Sequence, residues 1–167
     1  SDLMTALLAR YQISDTPEGL VLYDLRSSRA VAEEVERAGG QAEMCRVGHS
    51  FVKKQMRDTG AVFAGELSGH FYFRFSSDLM VDDATAAFVA LLDAMARDTR
   101  PLSEIVRPLR RYHASGEINR KVSDIESVLQ KVEALHADAP LHSRLDGLYV
   151  SYDDWWFNLR PSNTEPV

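Results

Sequence analysis

A single cysteine in 167 residues, Cys45, excludes an internal disulfide. It follows the alternating stretch Ala42-Glu43-Met44, which predicts a buried small apolar residue rather than a nucleophile. No apolar run is long enough to span a bilayer, and nothing at Ser1 reads as a signal peptide. Positive charge is also short: 19 Lys and Arg stand against 25 Asp and Glu, for a net charge of −6. Such a chain does not advertise nucleic acid or an anionic membrane as a partner, so any anion site must be local. These deficits predict a cytoplasmic protein.

Metal and triad chemistry are missing too. Asp82-Asp83 and Asp153-Asp154 are adjacent pairs, and neighbours on a strand point to opposite faces. Neither has the alternating oxygen spacing that a divalent ion wants. No Ser/His/Asp or Cys/His set is recognisable, and there is no internal repeat or low-complexity segment.

What is present is a 45% hydrophobic content, enough for a real core. Helix and strand alternate through residue 97. A helix over 2–12 has Asp2 as its cap, and Thr16-Pro17-Glu18-Gly19 turns the chain into a strand at 20–23 that ends at Asp24. Ser28 caps a helix over 29–38, which stops at Gly39-Gly40. A strand near 42–47, the turn Gly48-His49-Ser50 and a helix carrying Phe51, Val52 and Met56 and closed by Gly60 follow. Strands at 61–64 and 71–75 and a helix at 84–97 complete an α/β pattern: a mixed, partly parallel sheet covered by helices. Thr99-Arg100-Pro101 breaks it and places a domain boundary near residue 100. A strand around 111–121, a helix capped by Ser123, and strands at 147–152 and 155–160 joined through Asp153-Asp154 then predict a small α+β domain with an antiparallel sheet over 101–167. The chain starts at the door of a helix and stops just after Pro166, where a strand is expected, and so looks like a piece of a longer protein.

Ligand sites of such sheets lie at the carboxyl ends of the strands. Three polar loops fall there: residues 24–28, Gly48-His49-Ser50, and Gly65-Glu66-Leu67-Ser68-Gly69-His70. In the last, glycines allow sharp turning and close approach of a ligand. Glu66 can accept from two neighbouring hydroxyls, as a sugar diol requires; Ser68 can donate or accept, and His70 adds a switchable donor. The alternative is a polar turn between buried strands. His49 suits a capping or packing role as well as a ligand contact, and Arg26 suits a surface pair with Asp24 or Glu33. Lys53 and Lys54 read as a solvated helix face, and Arg107, Arg110 and Arg111 as a solvated basic cluster. Trp155 and Trp156 read as core and hairpin packing. At the other end, Arg160-Pro161-Ser162-Asn163-Thr164-Glu165-Pro166 follows an apolar run and gathers a guanidinium, hydroxyls and an amide. That set suits a phosphate and also suits an ordinary turn.

The two motifs Gly65 to His70 and Arg160 to Pro166, in this order and spacing, together with Gly48-His49-Ser50-Phe51-Val52-Lys53-Lys54, resemble the α-D-phosphohexomutase family, especially its bacterial phosphomannomutase/phosphoglucomutase branch. The resemblance covers nearly the whole chain. It implies that residues 1–100 are the third of four domains and 101–167 most of the fourth, packing against N-terminal domains that this sequence lacks. It implies that Glu66, Ser68, Gly69 and His70 bind sugar hydroxyls, that Arg26 and His49 reach toward the sugar phosphate, and that Arg160, Ser162, Asn163 and Thr164 grip the phosphate not being transferred. The family reaction moves phosphate between O1 and O6 of a hexose, mannose or glucose, through a phosphoserine and a hexose 1,6-bisphosphate. The phosphoserine loop and the aspartate-rich Mg2+ loop are absent here, so no catalytic residue and no metal ligand is assigned, and the chain alone is expected to be inactive. Asn163 and the Ser68-Gly69-His70 ending favour the mannose/glucose branch over the aminosugar branch, which usually has Gly at that place. A phosphoglucosamine mutase fragment and a stand-alone, non-catalytic phosphosugar-binding module are the alternatives.

Overall fold

Leu20–Asp24 forms β1, the strand on which the first part of the molecule is built. The structure, a computed structural model, describes residues 1–161. Around β1 come α1 (Asp2–Asp15), α2 (Ala30–Arg37), β2 (Gln41–Cys45), α3 (His49–Thr59), β3 (Phe63–Gly65), β4 (Phe71–Arg74), β5 (Met80–Asp82) and α4 (Ala84–Ala96). A short α5 (Leu102–Val106) runs into a 3-10 turn at Arg107–Leu109. The sheet order is β2-β1-β3-β4-β5; β2, β1 and β3 are parallel, and β4 and β5 are antiparallel additions.

Strand alternation sorts the core into two layers. Val21, Phe63 and Phe73 face α1, α2 and α4, where they pack with Leu8, Ala9, Ile13, Val35 and Ala87. Leu22, Ala64 and Tyr72 face the other way, onto Val52 and Met56 of α3. Each fully buried side chain of this size contributes about 1.5–3 kcal/mol. Cys45 lies in the second layer, buried as its sequence setting predicts.

The first unit runs to His113, past the boundary expected near residue 100. Pro101 ends the pattern of α4 but not the packing: Ile105 and Leu109 are buried against Ala6, Leu7 and Val31. Arg111 then closes the unit with ion pairs to Glu33 at 2.8 Å and Glu34 at 2.9 Å. This corrects the reading of Arg107, Arg110 and Arg111 as one solvated cluster. Arg111 neutralises Glu34, a carboxylate only 2% exposed, and Arg10 and Arg37 share that task.

The second unit, from Ala114 on, holds α6 (Ile125–Leu135), β6 (Leu141–Ser143), β7 (Leu148–Ser151) and β8 (Trp156–Leu159). The sheet is antiparallel in the order β6-β7-β8, and its core is small: Leu129, Ala139, Leu148 and Val150. The strand expected at 111–121 does not form. No described strand pairs with that stretch, and Gly116 takes φ +75° in its middle. The cap of α6 is Asp124, whose carboxylate accepts from Ser127 N at 3.0 Å, rather than Ser123. At the other end of the chain, Ser1, not Asp2, holds the N-cap position of α1, with no side-chain cap bond. The Asp2 side chain instead accepts from the backbone N–H groups of Leu3 and Ser28. Among the described residues no helix is long and apolar enough to cross a membrane.

Candidate functional site

Because β2, β1 and β3 run parallel, their carboxyl ends share one edge of the sheet. The three loops singled out in the sequence leave from that edge, and two buried carboxylates wire them together.

The first is Asp24, the last residue of β1 and fully buried. One carboxylate oxygen accepts from Arg26 N at 3.0 Å and Ser27 Oγ at 3.2 Å. The other accepts from Arg26 Nε at 3.1 Å, Arg26 Nη2 at 2.5 Å and, across the sheet, Leu67 N at 3.0 Å. Asp24 therefore fixes the guanidinium of Arg26 and ties the 65–70 loop to β1. Arg26 is thus paired with Asp24, one of the two partners its sequence setting offered, and is only 18% exposed.

The second is Glu66, 3% exposed at the end of β3. Its Oε1 accepts from Gly48 N at 2.9 Å, and its Oε2 accepts from Ser68 Oγ at 3.0 Å. The first contact pins the turn before α3, so that His49 opens this helix on the exposed rim. The loop closes on itself through Glu66 N to His70 O at 2.9 Å and Gly69 N to Glu66 O at 3.0 Å. Leu67, Ser68, Gly69 and His70 are exposed.

The start of α1 supports the loop from beneath. A Cβ on Gly65 would lie 2.4 Å from both Oγ1 and Cγ2 of Thr5, so glycine is required for α1 to approach. Ser1 Oγ donates to the carbonyls of Glu66 and Leu67. His70, just before β4, places its Nδ1 2.7 Å from Asp82 Oδ2. Asp83, the next residue, caps α4 by accepting from the N–H groups of Thr85 and Ala86, so the two adjacent aspartates do unrelated work.

Behind the rim, burial, and then the nearby carboxylates Asp24 and Glu66, push the Cys45 thiol well above its ordinary range. The same causes, led by burial, with Glu66 and then Asp82, raise the Tyr72 phenol. Neither group ionises near neutrality. An apolar cavity of about 210 Å³ beside the loop, lined by Met4, Leu8, Phe71, Ala87 and Phe88 among others, offers little to a sugar or a phosphate.

The family description "Phosphoglucomutase/phosphomannomutase, alpha/beta/alpha domain III" matches residues 1–112, which is the first unit and its rim. The chain belongs to this phosphohexomutase family. Curated relatives match it along nearly its full length. A phosphomannomutase of Methanocaldococcus jannaschii is 41% identical over 170 residues, covering 99% of this chain and 36% of that protein. A phosphomannomutase of Salmonella typhimurium is 35% identical over 166 residues, covering 98% and 36%. The chain thus spans little more than a third of the length of these relatives. Among solved structures, a phosphoglucomutase/phosphomannomutase family protein of Burkholderia thailandensis superposes with TM-score 0.80 at 31% identity over 99% of this chain and 35% of that one. A second structure, titled a putative phosphomannomutase of Thermus thermophilus, shows the shared fold with TM-score 0.68 at 16% identity.

The phosphohexomutase unit brings Arg26, His49, Glu66, Ser68, Gly69 and His70 onto one rim. Arg160 belongs to the second unit, directly after β8, and is half-buried. Gly147, at φ +75°, lies against it: a Cβ there would stand 2.3 Å from Leu159 O and 2.6 Å from Arg160 Cβ. Ser162, Asn163 and Thr164 lie outside the described residues. Sequence reasoning missed Asp24 as the hub and Asp82 as the partner of His70. A carboxylate at the inner end of a central parallel strand was the available signal for Asp24. Nothing local marked Asp82, because its partner is twelve residues away.

Proposed function

We propose that this chain is the C-terminal part of a phosphomannomutase/phosphoglucomutase that interconverts hexose 1-phosphate and hexose 6-phosphate. In this reading the first unit grips the sugar and the segment beginning at Arg160 in the second unit grips the idle phosphate. The phosphoserine, the Mg2+ ligands and the transfer of the phosphoryl group belong to the part of the enzyme that this sequence does not contain. The chain alone is then inactive, and the whole enzyme works in the cytoplasm. Holding the idle phosphate and the sugar ring leaves the other end of the substrate positioned for in-line transfer.

The observation that carries this reading is the wiring of Glu66. Its oxygens already hold Gly48 N and Ser68 Oγ, but a carboxylate has about four acceptor sites. The side chain is nearly buried, so a sugar hydroxyl meets it at the mouth of the loop, where Ser68 now donates. Two acceptors and a reversible hydroxyl at one point suit a diol presented in either of two orientations, as a substrate that turns around during the reaction demands.

The test is a two-dimensional NMR titration of this chain with mannose 1-phosphate, with inorganic phosphate as control. The expected result is shifts at Glu66, Ser68 and Gly69 and at Arg160, larger for the sugar phosphate at the first three. Equal responses to both ligands, confined to the Arg160 segment, would sink the assignment of the rim as a preformed sugar site.

A further inference from the structure

The contact between His70 and Asp82 has a chemical consequence beyond closing a loop. Asp82 stands opposite Tyr72 in the β4–β5 register, so His70, two residues before Tyr72, lies diagonally across from it on the same sheet face. The Nδ1 to Oδ2 distance is 2.7 Å, and the imidazole is still 54% exposed. A carboxylate is acceptor-only, so the ring nitrogen it faces must carry the proton. In the neutral ring the other nitrogen, Nε2, is then the lone-pair site.

We propose that Asp82 is a positioning residue for His70: it sets the Nδ1–H tautomer and the ring plane, so that Nε2 is offered as an acceptor to a sugar hydroxyl at the rim. The role of His70 thereby changes from a second donor to an acceptor that complements the donors on Arg26. The ligand half of this proposal rests on the sugar-binding reading above. The tautomer half does not, because it follows from the pair itself.

Among the described residues the Asp82 side chain makes no other hydrogen bond or ion pair. Its neighbour Asp83 supplies the cap of α4, and β5 keeps its backbone pairing to β4 whatever side chain stands at position 82. Replacing the side chain is therefore expected to leave the fold intact, to be verified by far-ultraviolet circular dichroism.

The experiment is a long-range 1H–15N correlation spectrum of the histidine rings in this chain, above the imidazole titration. It is recorded for the wild type, Asp82→Ala and Asp82→Asn, each with and without mannose 1-phosphate. The wild type is expected to show a protonated Nδ1 and a pyridine-like Nε2 at His70. Asp82→Ala is expected to show the mixed tautomers of free histidine, and Asp82→Asn, which keeps an oxygen in reach, to restore part of the wild-type pattern. Binding of mannose 1-phosphate is expected to weaken about tenfold in Asp82→Ala, the loss of one well-placed hydrogen bond, and to recover in part in Asp82→Asn. A protonated Nε2 in the wild type, or an Asp82→Ala spectrum identical to it, overturns the proposal. Wild-type tautomers as expected, with every rim resonance unmoved by mannose 1-phosphate, overturn the sugar-binding reading and the ligand half with it, while the Asp82–His70 pair stands.

Discussion

The rim of the first unit and the end of β8 in the second are built on opposite terms. At the rim, two carboxylates are inside the protein and their partners are backbone N–H groups and side chains of the loops: Asp24 and Glu66 hold Arg26, Ser27, Gly48, Leu67 and Ser68 before any ligand arrives. Among the described residues Arg160 is held by no buried carboxylate in this way. It follows a four-residue strand of a three-stranded sheet whose buried core is Leu129, Ala139, Leu148 and Val150. One region is preorganised by buried charge, the other by the fit of a glycine against a strand end. In the proposed reading a sugar, whose hydroxyls need fixed directions, would be served by the first arrangement, and a phosphate, with equivalent oxygens, would tolerate the second.

The largest way to break this contrast is Asp24→Ala. It strands the Arg26 guanidinium and leaves Leu67 N and Ser27 Oγ without their buried acceptor. Removing one partner from a buried ionic network costs about 3–5 kcal/mol. Both tryptophans, Trp155 and Trp156, lie in the second unit, so their fluorescence reports that unit, whereas circular dichroism weights the larger first one. Urea denaturation of Asp24→Ala should lower the midpoint seen by circular dichroism and leave the tryptophan midpoint in place. Midpoints that fall together would mean that the two units do not unfold separately, and the contrast would collapse into one cooperative system.

The reciprocal experiment is Gly147→Ala. The added Cβ meets Leu159 O and Arg160 Cβ inside van der Waals distance, and φ +75° disfavours alanine on its own account. Overpacking of this kind costs about 1–3 kcal/mol. The tryptophan midpoint should drop with the circular dichroism midpoint of the first unit unmoved, and Arg160 should show the largest amide shift of the rim and loop residues. An unshifted Arg160 would show that Gly147 does not set its position.

Much of the rim was legible in the sequence because short parallel strands end where their apolar runs end. Leu20 to Tyr23 stops at Asp24, and Ala61 to Ala64 stops at Gly65-Glu66, so the polar residues fall at the edge. What stayed hidden depends on partners far along the chain. Met80–Asp82 and Leu141–Ser143 are three residues each, too short to show alternation, and they become strands only because β4 and β7 present free backbone edges. The stretch 111–121 has strand-like residues but no such edge among the described strands. Leu102–Val106 hides behind Pro101, which reads as a stop although it serves as the cap of a new helix.

The smallest expected effect sharpens the comparison most, because it separates charge from shape at the rim. In Glu66→Gln the side chain keeps its length but has one oxygen and one NH2 for two existing contacts. Gly48 N–H can only donate, so it must keep the oxygen. Ser68 Oγ can reverse its role and accept from the new NH2. Both contacts therefore survive with neutral instead of charge-assisted geometry, at a cost of about 0.5–1.5 kcal/mol in denaturation. Ligand binding should suffer more than the fold does. The reversed Ser68 hydroxyl and the new NH2 remove acceptors from the mouth of the loop, so mannose 1-phosphate affinity should fall about tenfold or more, while the response of Arg160 to inorganic phosphate stays at its wild-type value. A variant that loses several kcal/mol of stability yet keeps its sugar affinity would reverse the order of causes, making the charge of Glu66 a structural device and leaving the exposed Ser68 and His70 as the groups that meet the sugar.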